Sequence, residues 1–348
     1  MTRRKTETLS TSPRLKQVVA SAAVALTLSG CMGGATEIPE APAPPPRRAT
    51  ALDDDLAARA ATVVREAAAS PDPARRVNAA EAAEDLPPGE AQDVLVPLLD
   101  DDDAIVRFAA TMAIGRRKLD APGVQDRLLE LVQGDSPNGR VAATFALHQL
   151  GDTSYSQSLA RAATVDDALV RSHAALAMGL TGEPSATTIL KRMLRDPDAT
   201  VRVTAAEALW RLGDKAGLQP LLAASLSGYS DDSVIGTLAL GQNPDPAAYT
   251  VLEGKLTDDY PEVRLAAARA LGDLGSDRGY AVALELADDD RALRRGLAAA
   301  ALGDIGRADA QPTLAKLLAD DDADVRLTAA AAILTLNRGE GVGGGRTR

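Results

Sequence analysis

Residues 103–115 read DAIVRFAATMAIG, and the same order of an aspartate, a Val-Arg pair and spaced alanines returns along the whole chain. Aligned on the arginine, the motif recurs at Arg76, Arg107, Arg140, Arg171, Arg202, Arg264, Arg295 and Arg326, with Ser233 in the slot between Arg202 and Arg264. Every step is 31 residues except the one from Arg107 to Arg140, which is 33. Six residues beyond each slot stands an alanine, from Ala82 and Ala113 to Ala301 and Ala332. A period in this range marks stacked supersecondary units, each too small to bury its own apolar face, and not an active site.

The composition agrees with a helical stack. Apolar residues make up 45% of the 348, but aromatic ones only 2%; Ala and Leu dominate, and alternating β-branched runs are missing. Each period divides into an amphipathic first helix (A), as in residues 92–99, 124–132, 216–222, 247–256 and 312–318, an Asp-rich turn, and a second helix (B) that carries the Val-Arg motif. The chain is therefore expected to be all-α, an α-solenoid of about nine two-helix repeats over residues 52–338. On these residues it resembles the HEAT-like repeats of the phycobilisome-lyase type. The resemblance covers about residues 52–337 and implies a superhelix, while saying little about function.

At 100° per residue, positions −1, +3, +6 and +7 of helix B, counted from the arginine, share one side and form the core. Positions 0, +4 and +8 lie on an adjacent side; five repeats have glycine at +8 (Gly115, Gly179, Gly241, Gly272, Gly303), which implies close helix approach because Gly inside a helix costs about 1 kcal/mol against Ala. His148 and Trp210 replace glycine in that column, so a change of stacking angle is expected there. The recurring arginines read as a structural ladder more than as an anion site. Family resemblance implies that they bond acidic or carbonyl groups of the adjoining repeat. Ser233 interrupts the ladder and Gly236 takes a place held elsewhere by Ala, which makes residues 215–242 the expected weak link.

Positions +1, +2, +5 and +9 vary most and fall on a third face, expected to line the concave surface of the superhelix. Phe108, Met112, Phe145, Leu176 and Leu180 follow one another there, with Arg116, Gln149 and His173 beside them. An exposed apolar strip with a polar rim is what a protein or peptide partner would need. The alternative is that these side chains fold down into the core.

The N-terminus carries a different message. Arg3, Arg4, Lys5, Arg14 and Lys16 precede an apolar run, residues 18–28, too short to span a bilayer and laid out as a signal peptide over residues 1–30. The run ends in Leu28-Ser29-Gly30-Cys31, which resembles the lipobox of bacterial lipoproteins. That resemblance implies cleavage before Cys31, a diacylglycerol on its thiol, membrane anchoring and, with Met32 next, sorting to the outer membrane in a Gram-negative cell. Cys31 is the only cysteine in the chain. Residues 31–51 are Pro-rich and read as an extended tether; residues 339–348 read as a flexible glycine-rich tail.

Several chemistries find no footing. The net charge is −11, and with five basic residues and one acidic residue before Cys31 the remainder carries −15, which argues against nucleic acid as a partner. The runs Asp100–Asp103, Asp288–Asp290 and Asp320–Asp322 lack the spacing of a calcium loop and read as helix caps. With only His148 and His173, neither a zinc motif nor a di-iron site can be built, and no nucleophile elbow or phosphate loop occurs. The expectation is a lipid-anchored envelope scaffold, not an enzyme and without cofactor, that binds a protein or peptide on its concave face. The family resemblance keeps tetrapyrrole binding or lyase-like chemistry as an alternative, and a passive structural lipoprotein is a third.

Overall fold

The structure, a computed structural model, describes residues 54–341. The expected signal peptide, Cys31, the tether and the tail beyond Gly341 lie outside the described residues.

Eighteen α-helices and no strand are found among the described residues. The A helices are α1 (Asp54–Ala68), α3 (Pro88–Leu98), α5 (Val124–Gln133), α7 (Gln157–Ala162), α9 (Thr187–Met193), α11 (Leu218–Ser225), α13 (Pro246–Lys255), α15 (Tyr280–Leu286) and α17 (Gln311–Leu317). The B helices are α2 (Pro73–Ala82), α4 (Ala104–Arg117), α6 (Pro137–Gln149), α8 (Ala168–Thr181), α10 (Ala199–Arg211), α12 (Ser230–Leu240), α14 (Pro261–Asp273), α16 (Ala292–Ile305) and α18 (Ala323–Gly341). The described residues thus form an all-α solenoid of nine A/B pairs. α18 runs to Gly341, two residues past the start of the expected tail.

Local chemistry sets the helix ends. Asp103, Asp167 and Asp198 cap α4, α8 and α10 by accepting backbone N–H groups two residues on, at 2.7–2.8 Å. Each such cap is worth about 1 kcal/mol. Most B helices close on a glycine in the left-handed region, such as Gly182 (φ 74°) and Gly306 (φ 70°), where a side chain would be strained. Successive B helices then pack along one another through the small-residue columns. A Cβ on Gly179 would lie 2.8 Å from Ala208 Cα, so a larger residue there would force α8 and α10 apart.

The superhelix curves until it meets itself. α18 packs along α1 and also touches α2, the B helix of the first repeat. Arg75 Nε donates to Asp324 Oδ1 at 3.0 Å, and Thr335 Oγ1 lies 2.8 Å from Asp85 Oδ2. One apolar core includes Leu56, Ala60 and Val64 of α1 together with Ile333, Leu334 and Leu336 of α18. The solenoid is a closed ring, and its junction shares that apolar core.

The poorest boundary lies elsewhere. Trp210, buried and placed where other repeats have glycine, donates Nε1–H to Leu240 O at 3.3 Å and fills the space between α10 and α12. Gly236 lets α12 sit almost against the α11 backbone: a Cβ there would stand 2.7 Å from Ala224 C and nearer still to Ser225 N. α12 therefore packs mainly on α11 and α14, and only slightly on α10. A bulky residue on one side and a missing one on the other open the stack between the fifth and sixth repeats.

Candidate functional site: ring centre, ladder and rim

The inner face is not the open groove expected from the sequence. Met112, Phe145 and Leu180 are buried, Phe145 completely, and Phe108, Leu176, Gln149 and His173 are half-buried. Phe145 lies against Gly115 of the preceding repeat, so it fills the gap that the glycine leaves. Phe108 and His173, two repeats apart, stack at 4.1 Å between ring centroids. His173 Nδ1 stands 2.8 Å from Asn138 Oδ1, and burial lowers its pKa to about 4. Gln149 Nε2 donates to Leu180 O at 3.0 Å. Small residues between B helices tighten the curvature until inner side chains of different repeats meet, which a helical wheel of one repeat does not contain. Exposure was the error, since these columns are buried or half-buried.

Charged residues at the +5, +8 and +9 places converge at the centre on the junction side. Arg116 is buried, not exposed beside a groove, and its Nε donates to Glu84 at 2.8 and 2.9 Å. Arg269 Nε donates to Asp304 Oδ2 at 2.6 Å. Burial pushes the carboxyl of Glu81 well above its usual range, against the pull of Arg116 and Arg269 from separate repeats. It does the same to Asp273, with repulsion from Asp304 added, and raises Asp304 itself. Arg116 Nη1 is buried without a hydrogen-bond partner. The centre thus holds more carboxyls than guanidinium groups, and burial raises the pKa of Glu81, Asp273 and Asp304. No group of three or more His, Cys, Asp or Glu among the described residues is arranged to hold a metal ion.

The arginine column has a consistent geometry. Arg76, Arg171 and Arg295 each hold, through Nε and Nη2, the aspartate 25 residues on, Asp101, Asp196 and Asp320, at 2.7–2.8 Å. The fork geometry of guanidinium and carboxylate makes these strong pairs, and the guanidinium holds each of these carboxyls below its usual range. Nη1 of Arg107, Arg140, Arg171, Arg202, Arg295 and Arg326 turns back to carbonyls of its own A-to-B turn. The acid comes from the adjoining repeat and the carbonyls from the arginine's own. Arg264 has the weakest tie, 3.9 Å from Glu285. At Ser233 the cation is supplied from another position: Lys255 Nζ reaches Asp258 at 2.9 Å and Ser233 Oγ at 3.3 Å.

The rim formed by the A-to-B turns gathers what the interior excludes. Of the seven large hydrophobic residues exposed among the described residues, six lie there: Ile105, Val165, Leu169, Leu226, Tyr229 and Tyr260. Nothing in the repeat motif marks them, because they occupy variable turn and first-turn positions. Where the stack opens, a groove of about 380 Å³ lies between α10 on one side and α11 and α12 on the other, lined by Leu194, Val203, Pro220, Ala224 and Ile235 with Arg202, Ser227 and Asp232. The sequence signals for it were Trp210, Ser233 and Gly236, each legible as a break in a column.

Comparison with known proteins places the architecture. The deoxyhypusine hydroxylase of human shares 20% identity over 72% of this chain and 97% of its own, with a TM-score of 0.37. The complex of CpcE and CpcF of phycocyanin lyase from Nostoc sp. shares 18% over 72% of this chain and 95% of the other, with a TM-score of 0.41. No curated protein matches the chain. The family model for HEAT repeats matches residues 61–147, 124–210, 166–236 and 234–303, which together span residues 61–303, well over half of the 348. The chain belongs to the HEAT-repeat family.

Proposed function

We propose that this protein is a lipid-anchored scaffold of the bacterial envelope that binds a protein partner on the A-to-B rim of its ring, without catalysis of its own. One observation carries the reading: the inner face is consumed by the fold, while exposed Ile105, Leu169, Leu226, Tyr229 and Tyr260 share one edge of the ring. Apolar side chains that cost free energy in water persist on a surface where a partner covers them. The lipobox-like Leu28-Ser29-Gly30-Cys31 supports the anchor, and the Pro-rich residues 32–51 would hold the ring away from the membrane.

A photo-crosslinking amino acid placed at Ile105 or Tyr229 of the full chain, expressed in its own host, is expected to give discrete adducts. The same residue at exposed Thr250, on the outer helix α13, is expected to give none. Equal adducts from all three positions, or none from the rim, would remove the rim as the docking surface. Cys31→Ser is expected to release the protein from membranes or leave the precursor uncut, and unchanged mass and partition would end the anchor assignment.

A further inference from the structure

We infer that the groove between the fifth and sixth repeats captures a short segment of a partner protein that presents an aliphatic side chain next to a carboxylate. This rests on the rim-docking reading and names the chemistry of one part of it.

The argument starts from Arg202. At Arg76, Arg171 and Arg295 an aspartate 25 residues on takes the arginine fork, and at Arg202 that place is held by Ser227. Arg202 Nη1 donates to the carbonyls of Asp196 and Pro197 at 2.7 and 2.8 Å, but Nε and Nη2 meet no carboxylate among the described residues. Asp196, whose backbone carbonyl Arg202 binds, has both side-chain oxygens held by Arg171. Asp232 stands at the groove mouth with its carboxylate on the Ser227 hydroxyl at 3.3 Å, and not on the guanidinium. Arg195, next in sequence to groove residue Leu194, is an exposed cation.

Arg107 and Arg140 also face an aliphatic residue at the aspartate place, Val132 and Val165, yet the B helices flanking them are packed together. At Arg202 the vacant half of the fork lies beside an apolar groove. Leu226 and Tyr229, 65% and 77% exposed, flank Ser227 at its edge. A planar fork with two free donors selects a carboxylate in two-point contact, and the aliphatic walls select the neighbouring side chain. The occupant is thus the mimic of the missing rung: an acid where Asp101, Asp196 or Asp320 would be, carried by another protein.

Ser227→Asp is the decisive variant, because it rebuilds the internal rung, favours the fold and fills the site at once. A phage-displayed library of random octapeptides is selected on the purified full-length protein. Peptides pairing Asp or Glu with Leu, Ile or Val are expected to be enriched, with affinity lost at least tenfold on Ser227→Asp and on Arg202→Gln. Replacing the acid of a selected peptide by its amide should cost as much on wild type and nothing further on Arg202→Gln. Equal enrichment on Ser227→Asp, selection of basic or acid-free peptides, or no enrichment would overturn the inference. Enrichment that appears only with Glu37→Gln and Glu40→Gln would assign the groove to the chain's own tether, and also overturn it. Rim crosslinks from Ile105 would survive any of these failures, so the two readings fall separately.

Discussion

Lys255 shows how single residues adapt a repeated motif. It sits on an A helix, 22 residues after the missing arginine, and still delivers a cation to Asp258 beside Ser233 Oγ. The rung is kept while its donor changes helix, because the fold needs a charge at that place more than a particular side chain. Glu81 is the opposite case, a carboxyl whose ionisation burial opposes. Its raised pKa means the folded ring keeps a proton that the unfolded chain gives up near pH 4. The stability this provides is complete below that pH and is lost as pH rises through the folded-state value. Glu81→Gln is therefore expected to raise the melting temperature at pH 8, by about 1–2 kcal/mol of stability, and to change little at pH 4.5. A variant less stable than wild type at pH 8 would show that the Glu81 charge is used. The Val-Arg ladder was legible from spacing alone; the raised carboxyl was not, because Glu81 feels Arg269 only across the closed ring.

At the scale of helices, α12 is the irregular element. It leans on α11 through Gly236 and is kept from α10 by Trp210, and a groove opens as a result. Gly236→Ala drives a methyl into the α11 backbone and is expected to cost about 2–3 kcal/mol. Gly254→Ala, in α13 where a Cβ would meet nothing within 4 Å, is expected to stabilise by about 0.5–1 kcal/mol through helix propensity. Thermal denaturation of the two variants checks both signs. Amide exchange should be fastest, away from the termini, in α11 and α12, since a stack held by nearest-neighbour contacts opens at its poorest boundary. Uniform protection across residues 200–270 would contradict that.

For the whole molecule the closure of the ring is the consequential fact. α1 buries Leu56 and Val64 against α18, each worth about 1.5–3 kcal/mol, so the first repeat is capped by the last. Val64→Asp places a charge in that contact. It is expected to cost several kcal/mol and to raise the radius of gyration seen by small-angle scattering, with far-ultraviolet helicity nearly unchanged. A radius equal to wild type would mean that the ring holds without this contact.

The period of 31, the A and B faces, the aspartate caps and the weak sixth repeat are all local properties, carried by side chains within one repeat or its neighbour. The sequence by itself determined them because helix periodicity and capping act over a few residues. Closure is a global property: a small rotation per repeat, set by how closely Gly and Ala columns let B helices approach, accumulates over nine repeats until α18 reaches α1. That sum decided whether Phe145 and Met112 face a partner or a neighbour, whether Arg116 and Glu81 are wet or buried, and which edge of the ring is left to meet other molecules.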